Sequence, residues 1–295
     1  MEGRGGGHVL GRRLFLFALL ACLPLAVGLV IWANPIGLFR TIAHARLALA
    51  GLDSQTIPAP RGSLHFWEGG DAQKPTIVLI HGLGNDAGIW ASTAKALRRD
   101  YHLLVPDLPA HGESSPRGTS RPLEISMADE VAGIEALLDA RAPQQKVILV
   151  GNSLGGWTSL LLAERRPERI TRLVLVDSAG LFYVPKMRYL VRNRKEGGVL
   201  VDALLGPRFP RLPGFVIDDF VEKLQEGAAP PLWDSFRRED FLDDRPERLP
   251  ALKTPADVIW GEADELFPLE VGRQLANRLA AGRFHSIPDC GHAPQ

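Results

Sequence analysis

A mostly parallel β-sheet flanked by helices is the fold that this sequence predicts, on three observations. From about residue 60, short apolar runs alternate with helical patterns, as in chains that build a parallel sheet with helical crossovers. One run, Val147-Ile148-Leu149-Val150, breaks into Gly151-Asn152-Ser153-Leu154-Gly155-Gly156 and then into a helical stretch. The alternation fails only between Leu181 and Leu252, a segment rich in Pro, Arg, Phe and Leu without a clear strand. That segment reads as a helical cap inserted into the α/β domain.

The strands expected are Ser63–Trp67, Thr76–His81, His102–Pro106, Lys146–Val150, Arg172–Val176, Asp257–Trp260 and Arg283–Ile287. Between them, helices are expected at Gly88–Arg99, Ile125–Arg141 and Leu154–Arg165. The last begins immediately after Ser153, so its first N–H groups point at the serine. A chain of 295 residues accommodates one such domain, here residues 60–295, with a sizeable core.

Residues 1–59 divide differently. Residues 1–13 form a basic tail, and Leu14 to Trp32 carries no charge. At 1.5 Å per residue that run is roughly 28 Å long, close to the hydrocarbon thickness of a bilayer. It is expected to be a transmembrane signal anchor. A cleaved signal, a twin-arginine signal (Arg12-Arg13-Leu14-Phe15-Leu16), a lipoprotein box ending at Cys22 and a buried soluble helix are the alternatives. Arg4, Arg12 and Arg13 outnumber Arg40 and Arg46, which places the N-terminus inside and the large domain on the extracytoplasmic, periplasmic side. Residues 33–59 are expected to be a juxtamembrane segment, either a helix lying on the membrane or a helical linker.

Composition excludes some classes. Lys plus Arg balance Asp plus Glu at 34 each, and no basic stripe suits nucleic acid. The two cysteines, Cys22 and Cys290, stand at opposite ends, so a structural disulfide is not expected. No metal-ligand spacing or phosphate-binding glycine loop occurs, so no cofactor is expected.

The chemistry centres on Ser153. A strand that turns through Gly-x-Ser-x-Gly into a helix is the layout of a nucleophile elbow, with the serine strained and its hydroxyl exposed above the sheet. A serine nucleophile needs a base, and the base needs an acid to fix its tautomer. Among eight histidines, His292 follows the final strand-like run and a glycine, and is the candidate base. Asp264 follows the preceding strand in a Gly-led loop and is the candidate acid, with Asp177 as the alternative. His111 is the weaker alternative base. The N–H groups of Leu154 and of Leu83, in His81-Gly82-Leu83-Gly84, are the candidate oxyanion donors. His81 and the segment Asp107 to Ser114 are expected to shape loops rather than to react.

Together, the elbow, the His-Gly loop, Asp107-Leu108-Pro109-Ala110-His111-Gly112, Gly261-Glu262-Ala263-Asp264 and Gly291-His292 resemble the α/β-hydrolase superfamily. The resemblance runs from about residue 60 to the end. Ser153 argues against relatives that carry Asp at the elbow, such as epoxide hydrolases. Val176-Asp177-Ser178-Ala179-Gly180-Leu181 and the apolar N-terminus look more like the monoacylglycerol-lipase type of serine esterase than the C–C bond hydrolases of ring-cleavage products.

The resemblance implies cleavage of lipid-like esters through an acyl-enzyme, with lipid and membrane as partners. Under the C–C hydrolase alternative, Arg188 or Arg192 would bind a substrate carboxylate. A non-catalytic binding protein on the same fold is the third possibility. The family also implies a helix after the catalytic histidine, whereas this sequence ends at Gln295, so a truncated sequence and a domain lacking that helix are both open.

Overall fold

The computed structural model describes residues 28–29, 31–116 and 124–295. Nine strands form one sheet: β1 (Leu52–Ala59), β2 (Gly62–Gly69), β3 (Thr76–Ile80), β4 (His102–Pro106), β5 (Ser115–Pro116), β6 (Val147–Asn152), β7 (Ile170–Val176), β8 (Ala256–Gly261) and β9 (Gly282–Ile287). The order is β1-β2-β4-β3-β6-β7-β8-β9, with β5 beside β2. β3, β4, β6, β7, β8 and β9 run parallel, and the β1–β2 hairpin adds to β4 antiparallel. All seven expected strands are present: His102–Pro106 has the expected bounds, and no end of the others is shifted by more than two residues.

The central strands have helices on both faces, so their side chains are apolar without alternation. β3 (TIVLI) and β4 (HLLVP) are buried at every position. The parallel-strand helices are α2 (Ala91–Leu97), entered through a 3₁₀ turn at Ala87–Trp90, α3 (Met127–Arg141), α4 (Leu154–Arg165) and α9 (Leu269–Arg278). α4 has the expected bounds. α9 was not expected from the sequence. It is short and mostly polar, and only Val271, Gly272, Leu275 and Ala276 face inward.

Between β7 and β8 the chain forms α5 (Arg194–Leu205), α6 (Gly214–Glu226), α7 (Ala229–Ser235) and α8 (Arg248–Ala251), and no strand, among the described residues. These helices fill the segment expected to be a cap. Arg248 fastens it to the core: Nε and Nη2 make a two-pronged contact with the Glu164 carboxylate of α4 at 2.8 and 2.6 Å. Its Nη1 donates to the carbonyls of Glu239 and Phe241 and to Asp244. The Trp157 ring of α4 stacks on Phe241, with centroids 4.3 Å apart.

The sheet begins earlier than residue 60. Residues 52–59, expected within the juxtamembrane segment, are the edge strand β1, paired with β2 along its whole length. Its sequence, LDSQTIPA, is half-exposed and has no apolar run, and Pro58 is tolerated because edge strands need fewer ladder donors. Before it lies α1 (Pro35–Leu49), capped by the Asn34 side chain.

α1 packs on the domain through Ala43 and Leu47, and its Ile36 N–H donates to Asp219 on cap helix α6 at 2.8 Å. The other face leaves Phe39, Ile42 and Leu49 exposed, as are Leu29, Ile31 and Trp32 before the helix. The expected membrane-spanning segment, residues 14–32, lies outside the described residues except at 28, 29, 31 and 32. Among the described residues, no helix is long and apolar enough to cross a membrane.

Leu47 has no exposed surface. Leu47→Ala should therefore cost about 2–5 kcal/mol of unfolding free energy, measured by chemical denaturation. A free linker helix would show almost no change.

Candidate active site

β6 delivers Ser153 to the centre of the sheet, between β3 and β7. The turn after it is tight enough that a Cβ on Gly151 would lie 2.3 Å from Gly155 C, and one on Gly155 would lie 2.2 Å from Ile80 O. Ser153 has φ 54° and ψ −115°, a strained conformation for a residue with a side chain. Its N–H donates to Val176 O at 3.0 Å, and its carbonyl accepts from Ala179 N at 3.0 Å. The strain is thus held from both sides by the neighbouring strand and the loop after it.

The His81-Gly82-Leu83-Gly84 loop closes over this turn. A side chain on Gly82 would begin 3.2 Å from Ser153 Cβ. Leu83 and Leu154 are both buried and line the same cleft as Ser153. His81 shapes the loop, as expected: its Nε2 accepts from Leu108 N at 2.9 Å and its ring Nδ1 pairs with Gly82 O at 2.8 Å.

Asp107 organises the adjacent loop, accepting from Ala87 N, Glu113 N and the His65 ring at 2.7–2.9 Å. These bonds hold its carboxyl below the usual range despite burial. His111 is fully enclosed beside His81, and burial pushes its pKa down to about 3. It bonds to Pro109 O.

Asp264 and His292 come together. His292 Nδ1 lies 2.7 Å from Asp264 Oδ2, and Asp264 Oδ1 accepts from the N–H groups of Leu266 and Phe267 at 2.8 and 2.9 Å. Asn152, next to Ser153, ties this loop to the elbow, its side-chain amide donating to His292 O at 3.0 Å and to Val176 O at 3.2 Å. No local motif marks Asn152 for that role. The His292 ring packs against Phe267, which lines the cleft, and its Nε2 is buried without a hydrogen-bond partner.

Burial disfavours the imidazolium, but the charge of Asp264 and its hydrogen bond outweigh it. They hold His292 above its ordinary 6.5. Asp177 also reaches this cluster. One ligand atom from each of Asp177, Asp264 and His292 lies within 4.8 Å of the others, the one such convergence of potential metal ligands among the described residues. In it, the His292 nitrogen facing the carboxylates is already hydrogen-bonded to Asp264.

Above Ser153 lies a cleft of about 290 Å³, at the small end of ligand pockets. Its walls include Trp157, Phe182, Tyr183, Trp233, Phe236 and Phe241. Tyr189 stacks on Trp233, and its hydroxyl donates to Leu83 O at 2.5 Å, fixing the loop's carbonyl side. Arg188 and Arg192, named for a carboxylate site, instead line a separate groove on the cap. The cations at the cleft are Arg237 and Arg238, which sequence reasoning missed because the cap has no readable motif.

The profile of the alpha/beta hydrolase fold matches residues 75–295. The chain belongs to the α/β-hydrolase family. Human monoacylglycerol lipase ABHD6 is 25% identical over 253 residues, covering 78% of this chain and 73% of that protein. Lipase 1 of Psychrobacter immobilis is 27% identical over 245 residues, covering 78% and 74%. Among solved structures, a putative lipase from Acinetobacter baumannii superposes with a TM-score of 0.74 at 25% identity, over 87% of this chain and 90% of that one. A membrane phospholipase A superposes at 0.69 and 26% identity, over 96% and 93%. This α/β hydrolase therefore stands among lipases and esterases.

His292 should titrate above 6.5 in the folded protein, observable by NMR of its imidazole. A raised folded pKa means that its stabilising effect is complete below about pH 6.5 and fades as pH rises through the folded value. The stability lost in His292→Gln should shrink over that same interval.

Proposed function

We propose that this hydrolase cleaves carboxylic esters of apolar, lipid-like acyl groups through a serine acyl-enzyme. The observation that carries the reading is the 2.7 Å His292–Asp264 pair, tied through Asn152 to a strained serine under an apolar cleft. In this mechanism Ser153 Oγ attacks the ester carbonyl while His292 Nε2 takes the hydroxyl proton. The negative oxygen is held by the N–H groups of Leu83 and Leu154, and loss of one such donor costs about 3 kcal/mol of transition-state stabilisation.

Collapse of the tetrahedral species breaks the ester C–O bond, and His292 hands its proton to the departing alcohol. Water, deprotonated by the same imidazole, then attacks the acyl carbon and releases the acid and Ser153. Asp264 keeps Nδ1 protonated and Nε2 free to accept, so its role is orientation and charge.

The aromatic walls of the cleft suit an acyl chain, and the names of the relatives point the same way: a monoacylglycerol lipase and a membrane phospholipase A. Action at a membrane surface draws support from the uncharged run at 14–32 and from the exposed Trp32, Phe39, Ile42 and Leu49 along α1. In that arrangement the catalytic domain lies on the extracytoplasmic side.

Ser153→Ala should lower turnover of p-nitrophenyl esters by roughly 10⁴-fold or more and abolish labelling by a fluorophosphonate probe, with the fold intact by circular dichroism. Labelling that survives the substitution would remove Ser153 as nucleophile. A chain-length series of esters and monoacylglycerols, assayed on detergent-solubilised full-length protein, would then define the acyl group.

A further inference from the structure

We infer that Asp177 is a second, neutral carboxyl in the acid–base cluster, a positioning residue whose Oδ2–H donates to the Asp264 carboxylate and keeps it aimed at His292. The inference rests on the proposed roles of Ser153, Asp264 and His292 and extends them to a fourth side chain.

Asp177 is fully buried at the end of β7, with φ 43°, a left-handed conformation that is costly for a residue with a Cβ. Its Oδ1 accepts from Gly261 N at 2.8 Å, at the start of the loop that carries Asp264. Its Oδ2 is buried and accepts no hydrogen bond. An ionised oxygen left so would bear the full cost of desolvation, and it would face a second carboxylate. A proton on Oδ2 removes both costs, because a protonated carboxyl is a donor and the Asp264 carboxylate, which offers an oxygen within 4.8 Å, is its acceptor.

The groups whose charge acts on Asp177 are Asp264 and His292, and the Cys290 thiol feels the charges of both Asp177 and Arg208. Burial first, and Asp264 next, raise the Asp177 carboxyl, against the opposing pull of His292, to about 8. With the proton on Asp177, the resting cluster is one carboxylate, one carboxylic acid and a neutral imidazole, the state a general base requires. Loss of that proton leaves two facing anions, whose repulsion loosens Asp264 from Nδ1.

Asparagine reproduces the protonated acid: its amide donates and its carbonyl still accepts from Gly261 N. Asp177→Asn should therefore keep kcat within about twofold of wild type, with an unchanged acidic limb. The alkaline limb near pH 8 in wild type should disappear. Asp177→Ala should lower kcat by about 3- to 10-fold, one lost hydrogen bond, with KM little changed. An Asp177→Asn protein whose acidic limb moves to lower pH would mean that Asp177 acts as an anion. Identical pH profiles in wild type and Asp177→Asn would mean that it only braces the Gly261 loop. Either result overturns the inference.

A titration of the carboxyl carbons by ¹³C NMR in Ser153→Ala protein reads the same proton without catalysis. A group titrating near pH 8 and absent from Ser153→Ala/Asp177→Asn is expected, and its absence from Ser153→Ala would refute the neutral acid. That readout holds even if Ser153 proves not to be the nucleophile.

Discussion

The strained backbone at Ser153 is the constraint on which the rest of the site depends. A residue with φ 54° costs roughly 1–3 kcal/mol and persists only where its surroundings leave no alternative. Here β3 and β7 flank β6 in register, Val176 O takes the serine N–H, and Gly155 presses against the end of β3. The turn has no room to relax. Its position then fixes the start of α4, and with it the direction of the Leu154 N–H.

A second polar framework supports the loop that carries Leu83, the other proposed donor. Asp107 anchors the backbone at Ala87 and Glu113, and Asp86 holds Gly88 N together with the Arg40 and His44 side chains of α1. Arg40 also donates to Gly84 O at 3.3 Å. Because Asp86 is buried, its pairing with His44 and Arg40 is what keeps its carboxyl near 2. α1 thus has two faces with different tasks: one braces the loop above the serine, and the other presents apolar side chains outward.

Central strands were legible because burial on both faces forces an uninterrupted apolar run, as in Val147-Ile148-Leu149-Val150. Edge strand β1 was not, since one half-exposed face and only one neighbour leave it with polar residues and a proline. α9 was missed for a different reason: its inward residues Val271, Leu275 and Ala276 are well segregated, but the helix is only ten residues long and polar on average, so no apolar run marks it. The elbow, the His-Gly loop, Asp264 and His292 were readable because each combines a strand end with a glycine. Asn152, Tyr189, Arg237 and Arg238 carry no such local mark. They matter only through residues distant in sequence.

By itself, then, the sequence determined the layered α/β architecture, the tight turn at Ser153 and the two loops that carry an acid and a histidine. These follow from local chemistry: apolar runs, glycines and the order of strands. It left Asp177 and Asp264 as rivals, since both end strands in the same way. Only the tertiary structure decided between them for the histidine, placing Asp264 Oδ2 at 2.7 Å from Nδ1 and Asp177 behind it with a buried, unpartnered oxygen. That choice depends on the register of β7, β8 and β9 and the path of their loops, which no single segment encodes.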